Sequence, residues 1–501
     1  MNIPKKQFPF HIILFPIFYL LHNYNEIFGF ITAPTLISFG IALILFTGIC
    51  FLVAYFFIRS SQIAAILTSF LLLFTLYFGP YHDFIKSIAN PFISSYKIII
   101  PFSLLAIISV SVFFIKKNRA AAKFTSYLNI LFILLISFEL FKFAANFKKF
   151  KSDQNLIYTN SICNNYKPSF QTDSLKPDIY FIIFDAYTNN KTLNKFWNFD
   201  NSHITNWLSD EGFYIIPNGS ANYNFTPYSV SSTLNMNYLP PEKSNWNINR
   251  RYILEGVKSI SNNETLCLLN KENYHIQFLA PFKNDLSDPG LVIEFEDLPA
   301  SQLYRHTLPG RAQHDILWNF TPIRPPKDKK SYMFWTSEYG DKKKRIEDVH
   351  RSIEEIKATS DSSTNRKPQF VYGHFMTTHQ PHLFDSTGKP RSKGEIEHMF
   401  DTYTDQVTYS NKVIKNLVEH IKLKNKKNTV IIILGDHGYR DRPSYIQANE
   451  FSNFGAIYFP DRNYSKLYDS LSSVNVFRVL FNHYFYQNFE LLKDSSINVN
   501  Y

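Results

Sequence analysis

Four short stretches of the chain hold side chains able to take part in catalysis. Asp185 follows the apolar run Asp178 to Phe184 (DIYFIIF), and Asp436-His437-Gly438 follows Thr429 to Leu434 through Gly435. A carboxylate and a carboxylate-imidazole pair at two strand ends make a divalent metal site, because Asp oxygen and His nitrogen suit Zn or Mn and Gly allows a tight turn. Alone, an Asp after a strand is more often a turn or a helix cap. The G-D-H-G run is more specific, since two adjacent polar ligand types after an apolar run have little structural purpose. The third stretch is Asn222 to Asn235 (NYNFTPYSVSSTLN). Pro227 suits the first position of a helix and Thr226 its N-cap, which by itself describes an ordinary capped helix. A hydroxyl there also faces free backbone N–H groups and the positive end of the helix dipole, where a phosphoryl group binds. Threonine is a poor nucleophile until a metal or base lowers its pKa. A metal at Asp185, Asp436 and His437 would do that. The fourth stretch, His374 to His382 (HFMTTHQPH), holds three histidines whose bland reading is packing in a loop.

The elements that must position these residues alternate as in an α/β fold. DIYFIIF is nearly continuously apolar, as expected of a strand buried on both faces, and similar runs are Gly212 to Ile216, Tyr274 to Ala280, Gln369 to Phe375 and Thr429 to Leu434. Helical spacing is clearest in His398 to Leu423, through Tyr403, Val407, Ile414, Leu417, Val418 and Ile421. Strands alternating with helices predict a mostly parallel sheet sandwiched by helices. In such sheets the ligand crevice lies beyond the carboxyl ends of the strands, where Asp185 and Asp436 fall.

The first third of the chain has another character. A transmembrane helix needs about 20 mostly apolar residues, and five segments approach or meet this: Phe8 to Leu21, Pro34 to Ile58, Ile63 to Phe78, Tyr96 to Ile115 and Phe124 to Phe143. A cleaved signal peptide would explain only the first. The net charge of +11 also divides: residues 1–150 hold 12 Lys and Arg against 3 Asp and Glu, and the remainder 40 against 38. Lys5, Lys6, Arg59, Lys116, Lys117, Arg119 and Lys123 all lie on one side of a five-span anchor, which the positive-inside rule makes cytoplasmic. The four charges between the last two spans outweigh Lys148, Lys149 and Lys151 beyond them. Everything after residue 150 is then extracytoplasmic. There an oxidising compartment would allow one disulfide between Cys163 and Cys267. A nearly neutral outer domain supplies no basic face for nucleic acid.

Taken in order, F-D-A-Y after a strand, N-Y-x-x-T-x-x-S, H-x-x-x-x-H-x-P-H and G-D-H-G resemble the alkaline phosphatase/sulfatase superfamily. Within it, the membrane-anchored branch of lipoteichoic acid synthases and phosphoethanolamine transferases looks closest. The resemblance covers roughly residues 177 to 485 and implies an alkaline phosphatase-like α/β domain after a bundle of about five transmembrane helices. It further implies that Asp185, Thr226, Asp436 and His437 bind one divalent metal, Zn or Mn, with Thr226 as nucleophile. His374 and His379 match the histidines that contact the phosphate or protonate the leaving group. Asp185 stands where those transferases usually carry Glu. Sulfatases oxidise a Cys or Ser in C/S-x-P-x-R, and Thr226-Pro227-Tyr228-Ser229-Val230 lacks both that residue and the Arg, which favours phosphoryl chemistry.

The organisation expected is an anchor over 1–147, a juxtamembrane linker over 148–176, a catalytic domain over 177–490 and a tail over 491–501. The function expected is an integral-membrane transferase of the inner membrane with its catalytic domain on the periplasmic side. It would move a phospho head group from a phospholipid donor to a surface glycan or glycolipid, with no nucleic-acid partner. The alternatives are a metal-dependent phosphodiesterase or sulfatase-like hydrolase of the envelope, and a non-catalytic scaffold of the same fold.

Overall fold

In the computed structural model of the chain the residues described are 8–28, 31, 33–90, 92–152, 161–168, 176–239, 246–247, 250–282, 303–315, 338–361, 367–391, 402–424, 428–440 and 450–500. They divide into two units, Met1–Gln154 with Asp297–Gly340, and Asn155–Glu296 with Asp341–Tyr501.

The first unit contains α1 (His11–Glu26), α2 (Ala33–Ile58), α3 (Ser61–Leu76), α4 (Phe78–Ile88), α5 (Tyr96–Lys116) and α6 (Asn118–Ser152). Among the described residues, α2, α5 and the Arg119–Lys148 part of α6 are each long and apolar enough to cross a membrane. α3 and α4 pass the same test of length and apolarity only when taken together across a 65° bend, the form of a broken span or a re-entrant loop. α1 has 16 residues, about 24 Å at the helical rise, which alone is short of roughly 30 Å of hydrocarbon. Phe15 and Tyr19 of α1 nevertheless pack with Leu43, Leu72, Leu76 and Phe132 in the bundle core, while Ile37, Leu45, Phe57, Phe102 and Phe141 face outwards. Polar groups tie α1 to α6: His22 Nδ1 lies 2.8 Å from Glu139 Oε1, and Asn25 Nδ2 donates to Glu139 Oε2 at 2.7 Å. Such bonds hold helices together where the hydrophobic effect between them is weak. The helix Leu308–Asp315 belongs to this unit, with His306 accepting from the Gly79 N–H at 2.7 Å and Arg311 paired with Asp83.

The second unit is built on β1 (Asp178–Phe184), β2 (Tyr214–Ile215), β3 (Trp246–Asn247), β4 (His275–Leu279), β5 (Gln369–Phe375), β6 (Thr429–Gly435), β7 (Gly455–Tyr458) and β8 (Val499–Asn500). Six strands form one sheet in the order β2-β7-β6-β1-β5-β4, and β3 pairs with β8. β4, β5, β1 and β6 run parallel; β7 and β2 add an antiparallel edge. Alternate residues of β1 divide between two cores. Ile179, Phe181 and Ile183 join the cluster with Phe370, Tyr372, Phe477 and Leu480. Tyr180, Ile182 and Phe184 join the one with Val371, Val407, Leu417 and Ile431. A strand buried on both faces in this way must be apolar throughout, which is why DIYFIIF reads as it does.

Most boundaries shift by a few residues from the sequence ranges, and three of the shifts change the reading of an element. The strand expected over Gly212 to Ile216 shrinks to the two residues of β2 at the sheet edge. The helix expected over His398 to Leu423 is Tyr403–Lys424, with residues 398–401 outside those described. The third apolar segment stops at Leu76 and bends instead of running straight through Phe78. Cys163 and Cys267 form a disulfide with a Cα separation of 6.1 Å, and Cys50 is free.

Candidate metal centre

β1 and β6 are neighbours in register, with Phe184 opposite Gly435. The next residue on each is an acid, so Asp185 and Asp436 emerge side by side at the carboxyl edge of the sheet. Gly435 is required there by close approach: a Cβ on it would lie 2.2 Å from the Tyr187 carbonyl oxygen. Ala186 takes a left-handed backbone, φ 60°, which costs a non-glycine residue about 1 kcal/mol or more. Its N–H donates to Asp436 Oδ1 at 2.8 Å, tying the two strand ends together.

Each side chain is held from behind. Asp436 Oδ1 also accepts the His437 N–H at 2.9 Å, and the Asp436 carbonyl accepts from the Ser229 hydroxyl. His437 Nδ1 bonds the Gly438 carbonyl at 2.7 Å. Nδ1 must therefore carry the proton, and Nε2 presents its lone pair to the site. The Asp185 N–H donates to the Phe375 carbonyl at 2.9 Å and the Asp185 carbonyl accepts from Thr378 Oγ1 at 2.5 Å.

In front, four donors converge. Thr226 Oγ1 lies 3.3 Å from Asp185 Oδ2 and 3.1 Å from His437 Nε2. His437 Nε2 lies 3.7 Å from Asp185 Oδ1 and 3.4 Å from Asp436 Oδ2. Asp185, Asp436 and His437 are all buried and offer ligand atoms within 4.8 Å of one another. Asp185 Oδ1 and Asp436 Oδ2 are buried with no hydrogen-bond partner among the described residues. Two buried carboxylates this close repel, and an unpaired buried charge is costly. A divalent cation among these oxygens, the bare imidazole nitrogen and the hydroxyl removes both penalties. The donor set therefore fits such an ion.

Thr226 begins the helix Thr226–Asn235 as its first residue, with Phe225 as the cap and Pro227 in the first turn. The sequence placed Thr226 one position earlier, as the cap. Its hydroxyl does not cap the helix; it points to Asp185 and His437.

The electrostatics follow from burial among opposite charges. Burial alone raises the Asp185 carboxyl, but the imidazoles of His379, His374 and His437 outweigh it and hold the group below the usual carboxylate range. Burial lowers His437, with Arg440 adding to the effect against the pull of Asp436 and Asp185. Arg440 sits over the ring of Phe225, the residue before Thr226, 5.8 Å from its centroid.

The three histidines part company. His374 is buried, with Nε2 3.2 Å from Asp185 Oδ2 and Nδ1 2.8 Å from the Tyr372 hydroxyl. His379 is half-buried and bonds the Gln380 carbonyl through Nδ1 at 2.5 Å, leaving Nε2 without a partner among the described residues. His382 is buried against Tyr403, its Nδ1 2.9 Å from Thr402 Oγ1. The structure thus brings Asp185, Thr226, His374, Asp436 and His437 into direct contact, with His379 in electrostatic reach. Sequence alone assigns no role to Tyr372, Thr378 or Ser229, the last residue of N-Y-x-x-T-x-x-S; they bond His374, the Asp185 carbonyl and the Asp436 carbonyl respectively. Tyr372 carried a signal, being two residues before His374 and so on the same face of β5.

The Sulfatase family model matches residues 202–478, more than half of the chain. No curated protein matches the sequence. Similar solved structures include the C-terminal periplasmic domain of EcEptC from Escherichia coli in complex with Zn, at 9% identity and TM-score 0.40, covering 64% of this chain and 85% of that one. Another is the C-terminal periplasmic domain of the phosphoethanolamine transferase EptC from Campylobacter jejuni, at 11% identity and TM-score 0.34, covering 62% and 89%. A third is the integral membrane lipooligosaccharide phosphoethanolamine transferase A from Neisseria meningitidis, at 10% identity and TM-score 0.33, covering 93% and 94%. These likenesses are too distant to carry an activity.

Proposed function

The chain belongs to the sulfatase family of the alkaline phosphatase/sulfatase superfamily, and from that premise we propose that it is a membrane-anchored, metal-dependent phosphotransferase. In this reading it moves a phospholipid-derived phospho head group, such as phosphoethanolamine or phosphoglycerol, to a surface glycan or glycolipid through a threonine intermediate. The observation that carries the proposal is the Thr226 hydroxyl at the start of a helix, within 3.3 Å of Asp185 and 3.1 Å of His437, beside two carboxylate oxygens that no group among the described residues satisfies.

Asp185, Thr226, Asp436 and His437 would hold one divalent ion, zinc or manganese by donor type. Such an ion supplies a lowered pKa for the Thr226 hydroxyl and neutralises charge on phosphoryl oxygens. Asp185 Oδ2, which accepts from Thr226 Oγ1, is placed to take the hydroxyl proton and to return it when Thr226 is released, while His437 Nε2 keeps its lone pair for the ion. Thr226 Oγ1 attacks phosphorus and forms the new P–O bond; the bond to the lipid alcohol breaks, and that oxygen takes a proton from His379 Nε2. An acceptor hydroxyl then attacks the same phosphorus, gives its proton back to His379 and releases Thr226. The N–H groups opening the helix, with Arg440 nearby, favour the anionic group throughout.

The four apolar elements of the first unit, with α1 as a fifth span, would keep the catalytic unit at the bilayer where a phospholipid donor presents its phosphate. The threonine disfavours sulfate-ester chemistry, which needs an oxidisable Cys or Ser. The family match itself favours a second reading, hydrolysis with water as acceptor. The test is mass analysis of the full-length protein after incubation with mixed phospholipids. An adduct on Thr226 identifies the transferred group, and its release only on adding a glycan acceptor marks a transferase, whereas release in buffer marks a hydrolase. Thr226→Ala should show no adduct and lose turnover by about 10⁴-fold. Normal turnover in that variant would sink the mechanism.

A further inference from the structure

We propose that Tyr372 is a positioning residue of the metal centre, its hydroxyl acting through His374 to hold Asp185 with Oδ1 turned into the ion pocket. This rests on the reading of Asp185, Asp436 and His437 as metal ligands and adds a residue behind them.

The geometry is a three-member chain. Tyr372 and His374 are two apart on β5 and so project from the same face. The Tyr372 ring is fully buried, stacked on Phe181 at 5.3 Å and edge-on to Phe278 at 4.9 Å. Its hydroxyl lies 2.8 Å from His374 Nδ1, and His374 Nε2 lies 3.2 Å from Asp185 Oδ2.

Chemistry fixes the direction. An ionised carboxylate only accepts hydrogen bonds, so the proton of His374 sits on Nε2. With the proton on Nε2, Nδ1 is the acceptor, and among the described residues the group bonded to it is the Tyr372 O–H. Burial, with the charges of Asp436 and Asp185, pushes the phenol well above its ordinary value, so it keeps the proton it donates. Phe282 packs edge-on to the imidazole at 5.6 Å and limits its swing. With Oδ2 engaged by His374 and Thr226, Oδ1 is left unpartnered and turned to His437. Both nitrogens of His374 are thereby committed, which leaves the leaving-group proton to His379.

Outer-shell partners of this type are worth 10–100-fold in metal affinity. Zinc affinity is therefore measured on the full-length protein in detergent, by competition with a chelator and without substrate, with manganese in a parallel arm. Tyr372→Phe keeps the ring and removes only the hydroxyl, and should weaken zinc about tenfold. In a His374→Ala background the same substitution should change nothing further, because Tyr372 acts only through His374. An equal loss in both backgrounds, or no loss in the first while Asp436→Asn abolishes binding, overturns the positioning role and leaves the metal site standing. Absence of zinc and manganese binding in the unsubstituted protein overturns both. If Tyr372→Phe does not fold, His374→Gln, which retains an N–H for Asp185, must bind zinc more tightly than His374→Ala; equal affinities overturn the role.

Discussion

At the level of single residues, the two oxygens of Asp436 have separate duties. Oδ1 accepts from Ala186 and His437 and belongs to the fold, whereas Oδ2 is buried without a hydrogen-bond partner among the described residues. Asp436→Asn keeps a carbonyl oxygen for the first duty and puts an amide in place of the second. The expected outcome is a folded protein whose metal affinity drops by at least about a hundredfold, checked by elemental analysis; unchanged metal content would refute the assignment. The residues that face the ion pocket were legible because their types are chemically unusual where they fall: Asp185 and Asp436-His437 after apolar strands, Thr226 before a proline. Those that hold them were not. Thr378 is an ordinary polar residue whose bond to a backbone carbonyl nothing in its spacing announces, and Ser229, although it closes N-Y-x-x-T-x-x-S, gives no sign there that its hydroxyl bonds the Asp436 carbonyl.

Among the elements, the in-register ends of β1 and β6 matter more than either strand alone, since pairing Phe184 with Gly435 sets both acids abreast. Gly435→Ala tests this. The added Cβ would collide with the Tyr187 carbonyl oxygen at 2.2 Å, and either strand end must move. A loss of roughly 2 kcal/mol or more is expected by calorimetry, together with weaker metal binding. A variant of normal stability would show that the strand ends yield freely. β1, β5 and β6 could be read directly from sequence, because a strand covered on both faces is apolar at every position. β7 was not read at all: four residues on an antiparallel flank have neither the length nor the alternation to stand out. The one-residue shift of Thr226 from cap to first turn is of the same kind, since helix ends are set by tertiary bonds that spacing does not record.

For the whole molecule, the net charge of +11 is a statement about topology: the basic excess lies in the first 150 residues and the rest is almost neutral. A tag after Tyr501 should accordingly be cut by protease added to spheroplasts, whose outer membrane is opened, and protection there would reverse the proposed orientation. The disulfide between Cys163 and Cys267 bears on the same question by another route. It closes a loop with a sequence separation of 104, and a loop of that size is worth about 4–5 kcal/mol, a large share of the 5–15 kcal/mol typical of a native protein. Asp185 and Thr226 lie inside the loop, while Asp436 and His437 lie outside it. Reduction, or Cys163→Ser, should therefore lower the unfolding temperature of the catalytic unit; equal melting with and without reductant would exclude it. In the proposed orientation the bond would work as a maturation lock: a newly made chain still in a reducing cytosol would lack much of its stability margin and gain its full fold only after export, on the side where the proposed chemistry is wanted.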